Sequence, residues 1–120
     1  MPDEETPEVV DAADSLYESL RTINHVTLAG SSLPARVVYR VLGNLKGIEY
    51  LLPQGLSQLA AGLGKSLDAY DVYEDDGRDP VQSIATVTDH LTRASRLAQQ
   101  LGAELAQAQS AISRQGYREQ

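Results

Sequence analysis

Nine apolar residues recur at alternating intervals of three and four along the last third of the chain, and this stripe constrains the fold more than any other feature. Such spacing puts all nine on one face of an α-helix, and no glycine or proline occupies any of these positions. The stripe therefore predicts one long helix that buries one side against other helices. Its members are Ile84, Val87, Leu91, Ala94, Ala98, Leu101, Leu105, Ala108 and Ile112.

The remaining apolar content also favours helices. It comes mainly from 16 leucines and 14 alanines, with no phenylalanine or tryptophan to anchor strands. A chain of 120 residues without a long compositional break lies within the usual size of one domain. We therefore expect an all-α protein, a single helical domain over residues 1–120 whose segments 1–6 and 115–120 are frayed tails.

Capping residues and prolines predict where the first two helices begin. Thr6 is expected to cap the first helix, with Pro7 at its first position. A turn containing glycine and serine follows, and Ser31 or Ser32 is expected to cap the second helix, with Pro34 near its start. Both predictions use the preference of prolines for the first helical turn, where their missing N–H group costs nothing.

Pro53 interrupts the apolar pattern that runs through residues 37–70. Because proline lacks the N–H group and restricts the residue before it, a kink or a break is expected there, separating a second helix from a third. Asp79 followed by Pro80 is a typical helix start. It predicts a fourth helix that continues to about Ser113.

The helix lengths predict an antiparallel bundle. The second and third helices together match the fourth, while the shorter first helix is expected to lie back along the second. Apolar faces then remain open on the third helix and on the first half of the fourth. A symmetric homodimer would cover them, and the alternative is a monomer closed by the first helix. The predicted interface residues are Leu56, Leu59, Leu63, Leu67, Ile84, Val87 and Leu91.

The charges alternate in sign along the chain. Residues 1–20 and 67–90 are acidic, residues 21–66 and 91–120 are basic, and the formal net charge is -7. Neighbouring helices of opposite sign explain this pattern, and the alternative is a basic band that meets an acidic partner or nucleic acid. The net negative charge argues against nucleic acid. The band consists of Arg36, Arg40, Lys46 and Lys65.

No catalytic or cofactor-binding motif is present in the sequence. There is no cysteine, and the two histidines, His25 and His90, are too few for a typical zinc site. The acidic cluster around Gly77 does not fit an EF-hand, because aligning that glycine with the sixth loop position puts Val72 first. We expect no catalytic, cofactor-binding or metal-binding residue, no enzymatic activity and, in the absence of a signal-peptide pattern, a cytoplasmic location.

Four segments carry a resemblance to known proteins. SLYESLRTINH from Ser15, RVLGNL from Arg40, LLPQGLSQL from Leu51 and DDGRDP from Asp75 resemble small all-helical actinobacterial proteins of unknown function. The resemblance covers most of the chain. It implies an all-helical protein of the bacterial cytoplasm and supplies no catalytic residues.

These observations leave three functional hypotheses. The first is a non-catalytic, self-associating helical scaffold or adaptor, and the second is a regulatory module that uses the basic band. The third starts from Tyr70 and Glu74, which match the Tyr-x-x-x-Asp/Glu secretion signal of type VII substrates. It makes the chain a secreted helical hairpin.

Overall fold

The computed structural model describes residues 7–118 and confirms the all-α class. Four helices follow one another, and no strand occurs in the described range: α1 (Glu8–Thr27), α2 (Ala35–Leu45), α3 (Ile48–Ala69) and α4 (Pro80–Ala111). Contacts group the chain into two compact units, Met1–Leu33 and Pro34–Gln120. The single domain over residues 1–120 stays a prediction.

Helix α1 begins one residue later than the sequence predicts. Pro7 is the residue that caps it rather than its first helical residue, and its carbonyl accepts the N–H groups of Val10 and Asp11. The predicted cap, Thr6, lies outside the described residues. None of the α1 residues is buried. No apolar side chain of α1 is therefore part of a buried core.

Helix α2 is capped by Pro34, so the prediction of a serine cap at Ser31 or Ser32 is wrong. The backbone of Pro34 is extended, and its carbonyl accepts N–H groups of the first turn, from Val37 at 3.0 Å and Val38 at 3.2 Å. The serines lie at least two residues too early to reach these groups.

The break between α2 and α3 lies at Lys46 and Gly47, not at Pro53. Both junction residues keep right-handed backbone angles, and Gly47 donates to the carbonyl of Asn44 at 3.2 Å, a tighter spacing than in an α-helix. Glycine is a weak helix former, but Gly43 and Gly55 lie inside α2 and α3, so helix propensity alone does not account for a break at Gly47. Pro53 lies inside α3, in its second turn. There it removes the hydrogen bond to the carbonyl of Glu49 and its ring crowds that carbonyl, and the helix nevertheless continues to Ala69.

Helix α4 begins as predicted. The side chain of Asp79 accepts the N–H group of Val81 at 3.0 Å, and Pro80 is the first helical residue. The helix ends at Ala111, two residues before the predicted end. The preceding loop turns at Gly77, whose positive φ of 81° is a conformation that glycine adopts readily.

Helices α2 and α3 run one after the other along α4, in the antiparallel direction. Near one end of α4, Gln109 contacts the backbone of Tyr39 in α2, and further along Gly102 contacts Glu49 at the start of α3. As residue numbers increase along α2 and α3, the residues that they contact on α4 have decreasing numbers. The structure therefore confirms the predicted antiparallel arrangement of the second and third helices against the fourth. We call this arrangement the antiparallel pair: α2 followed by α3 is one member, and α4 is the other. The predicted placement of the first helix stays a prediction.

The buried face of α4 differs from the predicted stripe. Buried positions are Ala98, Gly102 and Gln109, whereas Leu101 of the stripe is 49% exposed. The row of α4 residues that faces α2 and α3 contains every second member of the stripe. It also contains residues that lie four positions after such a member, and their small or hydrogen-bonding side chains let the helices approach closely. We call this row the seam. On α4 it contains Ile84, Leu91, Ser95, Ala98, Gly102, Leu105, Gln109 and Ile112.

Candidate interaction surface

An apolar row beside the seam remains uncovered on α4. Val87 and Leu101 each lie three residues after a seam residue, and this offset puts them on one flank of the helix. Leu97 lies further round on the same flank and is 63% exposed. Val87 and Leu101 belong to the predicted stripe, and Leu97 lies next to it. The other helices pack against the opposite edge of the stripe.

Helix α3 has a matching row. Its contact side includes Leu56 and Ala60, and the more exposed Leu59 and Leu63 follow each of them by three residues. Because α3 and α4 are antiparallel right-handed helices, equal offsets from the seam fall on the same side of the pair. Both rows therefore form one surface, which we call the apolar face. It consists of Leu59, Leu63, Val87, Leu97 and Leu101.

The predicted interface residues divide between the seam and the apolar face. Leu59, Leu63 and Val87 are on the apolar face, with exposed fractions of 51%, 38% and 37%. The other four are partly buried on the contact sides of α3 and α4 within one chain, and they are Leu56, Leu67, Ile84 and Leu91. Only Leu59, Leu63 and Val87 can contact a second copy without a rearrangement of the helices within one chain.

The opposite side of α3 and α4 carries a shallow groove of about 480 Å³. Small and hydroxyl-bearing side chains line most of it, among them Ala60, Ala61 and Thr88. The hydroxyls of Thr92 and Ser95 donate to backbone carbonyls of their own helix, at 2.9 Å each. With these donors satisfied inside the protein, the groove offers few groups to a polar ligand.

Two residues of the predicted basic band meet at one end of the antiparallel pair. Arg36 and Arg40 of α2 line a pocket of about 360 Å³ together with Ile112, Ser113 and Gln115, at the C-terminus of α4. Arg114 lies within that same segment and Arg118 shortly after it. We call these four arginines the basic end. Arg36 and Arg40 line the pocket at the C-terminus of α4, where the helix dipole is negative and favours positive charge.

The other two residues of the predicted band lie elsewhere. Lys46 is partly buried in the turn between α2 and α3, and Lys65 is exposed in the last turns of α3. At 1.5 Å per residue the two lysines are about 28 Å apart along the chain axis. The structure therefore assembles the arginines of the band but does not extend it to Lys65.

Acidic side chains collect at the opposite end of the pair. They occupy the last turns of α3 and the loop to α4, and we call them the acidic end: Asp68, Asp71, Glu74, Asp75, Asp76 and Asp79. Arg78 pairs with the carboxylate of Asp76, with 2.6 Å between Nε and Oδ2. The Tyr70 and Glu74 motif also lies here, just after α3.

Comparison of the chain with protein-family models, curated proteins and solved structures gives no match. Within residues 7–118, no helix has the length and apolar character needed to cross a membrane. The same range contains no group of three or more metal-ligating side chains arranged to hold an ion. The apolar face and the two charged ends are the distinctive surface features of the described residues.

Sequence reasoning missed Leu97 and Leu101 as exposed residues. The stripe suggested that Leu101 is buried, because the most apolar positions were expected to face the other helices. The signal that would have found the seam is the run Ser95, Gly102 and Gln109 at seven-residue spacing. Ser95 and Gly102 are small enough to permit a close helix contact, and Gln109 adds a hydrogen bond to the neighbouring helix, so these residues compete with larger apolar residues for the contact row.

Proposed function

We propose that the protein is a non-catalytic, cytoplasmic helical module that associates with a second copy of itself and serves as a scaffold or adaptor. The observation that supports this most directly is the apolar face. Its five large apolar side chains lie on the same side of two packed helices, and a concentrated exposed apolar patch is typical of a protein–protein contact.

The packing inside the antiparallel pair also supports self-association. Ala98 is the one apolar residue of the described range that is buried, at 4% exposure, and no side chain there is fully buried. A pair of helices gains most of its stability from buried apolar area. A second copy would supply the area that this pair does not bury alone.

The expected strength of association is modest. Covering the exposed half of a leucine side chain contributes roughly 1 kcal/mol, whereas association costs about 4–15 kcal/mol in lost freedom. The dimer should therefore dissociate on dilution. This makes concentration the variable to control in the first experiment.

Light scattering after size-exclusion chromatography, across a hundredfold range of concentration, tests the proposal. We expect a mass that approaches about 26 kDa, twice the 13.0 kDa of one chain, at the high end. A mass of 13.0 kDa at every concentration would contradict self-association.

A pair of variants connects the mass to the apolar face. Leu59→Glu combined with Leu101→Glu puts charges at the centre of the proposed interface and should give a monomer with unchanged helix content. Val81→Glu is the matched control, because Val81 is equally exposed, at 53%, but lies outside the apolar face. The control should remain dimeric.

The basic end supports a second candidate function, the binding of an acidic protein segment. Arg36 and Arg40 are exposed and line one pocket, so a carboxylate there would meet two guanidinium groups. An acidic peptide titrated against the protein should then bind with an affinity that falls with salt and with Arg36→Gln. Binding that is unaffected by both changes would exclude this role for the basic end.

A further inference from the structure

We propose that the second copy covers the apolar face in the antiparallel orientation, so that the acidic end of one protomer meets the basic end of its partner. This inference rests on the proposed self-association and adds the orientation of the partner. The distribution of charge, the size of this side of the molecule and the position of its apolar residues support it.

Charge is strongly polarised along the antiparallel pair. Residues 61–90, which form the half near the loop, carry seven acidic and two basic side chains. The other half, residues 34–60 and 91–120, carries three acidic and seven basic side chains. The two halves of one unit therefore have opposite net charge, although the unit as a whole is nearly neutral.

The distance between the ends makes this polarity decisive for orientation. Helix α4 has 32 residues and spans about 48 Å. Electrostatic interactions between exposed charges are screened over about 8 Å at physiological salt, so each end interacts only with what lies directly against it. Parallel protomers would bring like charges together at both ends, whereas antiparallel protomers bring opposite charges together at both.

The side of the antiparallel pair that carries the apolar face is large enough for an interface with a second copy. Two helices side by side are roughly 18 Å wide, so this whole side has about 900 Å² over the length of α4, and the apolar face occupies about 21 Å of that length, between Val87 and Leu101. A standard interface buries about 800 Å² on each partner. A shorter ligand, such as a single peptide strand, would leave much of this area open.

Leu97 marks the centre of the arrangement. It lies close to the midpoint of α4, so full overlap of two antiparallel protomers brings Leu97 next to the Leu97 side chain of its partner. A twofold axis through this point makes the interface isologous and closed. At 63% exposure, Leu97 is the most exposed member of the apolar face, which fits a central contact with a partner.

Single spin labels on the full-length chain test the orientation directly. The sequence contains no cysteine, so each variant carries one label per protomer. Three exposed α4 positions away from the apolar face are suitable: Gln82→Cys near the start, Gln100→Cys near the middle and Ser110→Cys near the end. Distances between labels are then measured in the dimer by pulsed electron spin resonance.

The three labels give different results for each arrangement. Antiparallel protomers should separate the labels by about 40 Å at residues 82 and 110, and bring them much closer at residue 100. Short distances at all three positions would mean parallel protomers, which overturns this inference but not self-association. The absence of any distance, with the mass of a monomer, would contradict the proposed function itself.

Discussion

The backbone of Glu49 passes directly over Gly102, so closely that a β-carbon at Gly102 would lie 2.8 Å from the Cα atom of Glu49. The contact joins the first turn of α3 to the seam of α4. It lies near the junction where α2 ends, and it fixes the distance between the helices at this point. A larger residue at 102 cannot fit without moving the start of α3.

Gly102→Ala should therefore destabilise the protein, although alanine is the better helix former. Overpacking of a close helix contact costs about 1–3 kcal/mol, and it exceeds the gain in helix propensity of about 1 kcal/mol. Gly62→Ala is the matched control, because a β-carbon at Gly62 meets nothing within 4 Å. The control should stabilise the protein. Urea unfolding measures both, and equal effects would contradict the close contact.

Gln109 forms the only side-chain hydrogen bond between helices in the described residues. Its Nε2 donates to the carbonyl of Tyr39 at 3.1 Å, and the residue is 7% exposed. Gln109→Ala should lower the free energy of unfolding by about 1–2 kcal/mol through the lost bond and the lost packing. Gln107→Ala, at an exposed position of the same helix, should change it by less than about 0.5 kcal/mol.

A double-mutant cycle with Gly43 tests the same contact further. A β-carbon at Gly43 would lie 2.7 Å from Nε2 of Gln109, so Gly43→Ala should displace the amide and break the hydrogen bond to Tyr39. In the background of Gln109→Ala the obstacle is gone, and Gly43→Ala should become stabilising. Additive effects of the two substitutions on the free energy of unfolding would show that the side chains do not interact.

Pro53 should weaken α3 without breaking it. Pro53→Ala restores a donor for the carbonyl of Glu49 and removes the steric clash of the ring, so we expect stabilisation by about 1 kcal/mol or more. Pro80→Ala is the control, because Pro80 is the first residue of α4, where proline is favourable. It should be neutral or slightly destabilising. A loss of stability in Pro53→Ala would mean that the proline ring contributes more through packing than it costs the helix.

The local parts of the fold could be predicted from the sequence. The start of α4 depends on Asp79 and Pro80, which act within one turn, so neighbouring residues determine it. The break at Gly47 was not predicted, because the chain contains two candidates close together. Proline is the stronger helix breaker in general, but α3 continues through Pro53 and the break falls at Gly47 instead.

The seam could not be predicted by hydrophobicity alone. Leu101 is more apolar than Gly102, yet Gly102 is buried and Leu101 is exposed. The outcome depends on how closely two helices approach, which is a property of both partners and not of either stripe. The same limit applies to the basic band, whose arginines meet at α4 only because α2 runs antiparallel to it.

The last prediction concerns the charges that orient the proposed dimer. Asp71→Asn combined with Asp75→Asn reduces the negative charge of the acidic end, which faces arginines of the partner in antiparallel protomers. Exposed ion pairs contribute about 0.2–1 kcal/mol each. Each of the two neutralised residues acts twice in a symmetric dimer, which gives about 0.8–4 kcal/mol in total, so the dissociation constant should rise at least about fourfold. Parallel protomers would respond in the opposite direction, because repulsion between two acidic ends would be relieved. Asp89→Asn, at an exposed position of α4 between the two charged ends, is the control and should leave the constant unchanged. Analytical ultracentrifugation at low and high salt measures all three proteins, and the difference between them should vanish at high salt.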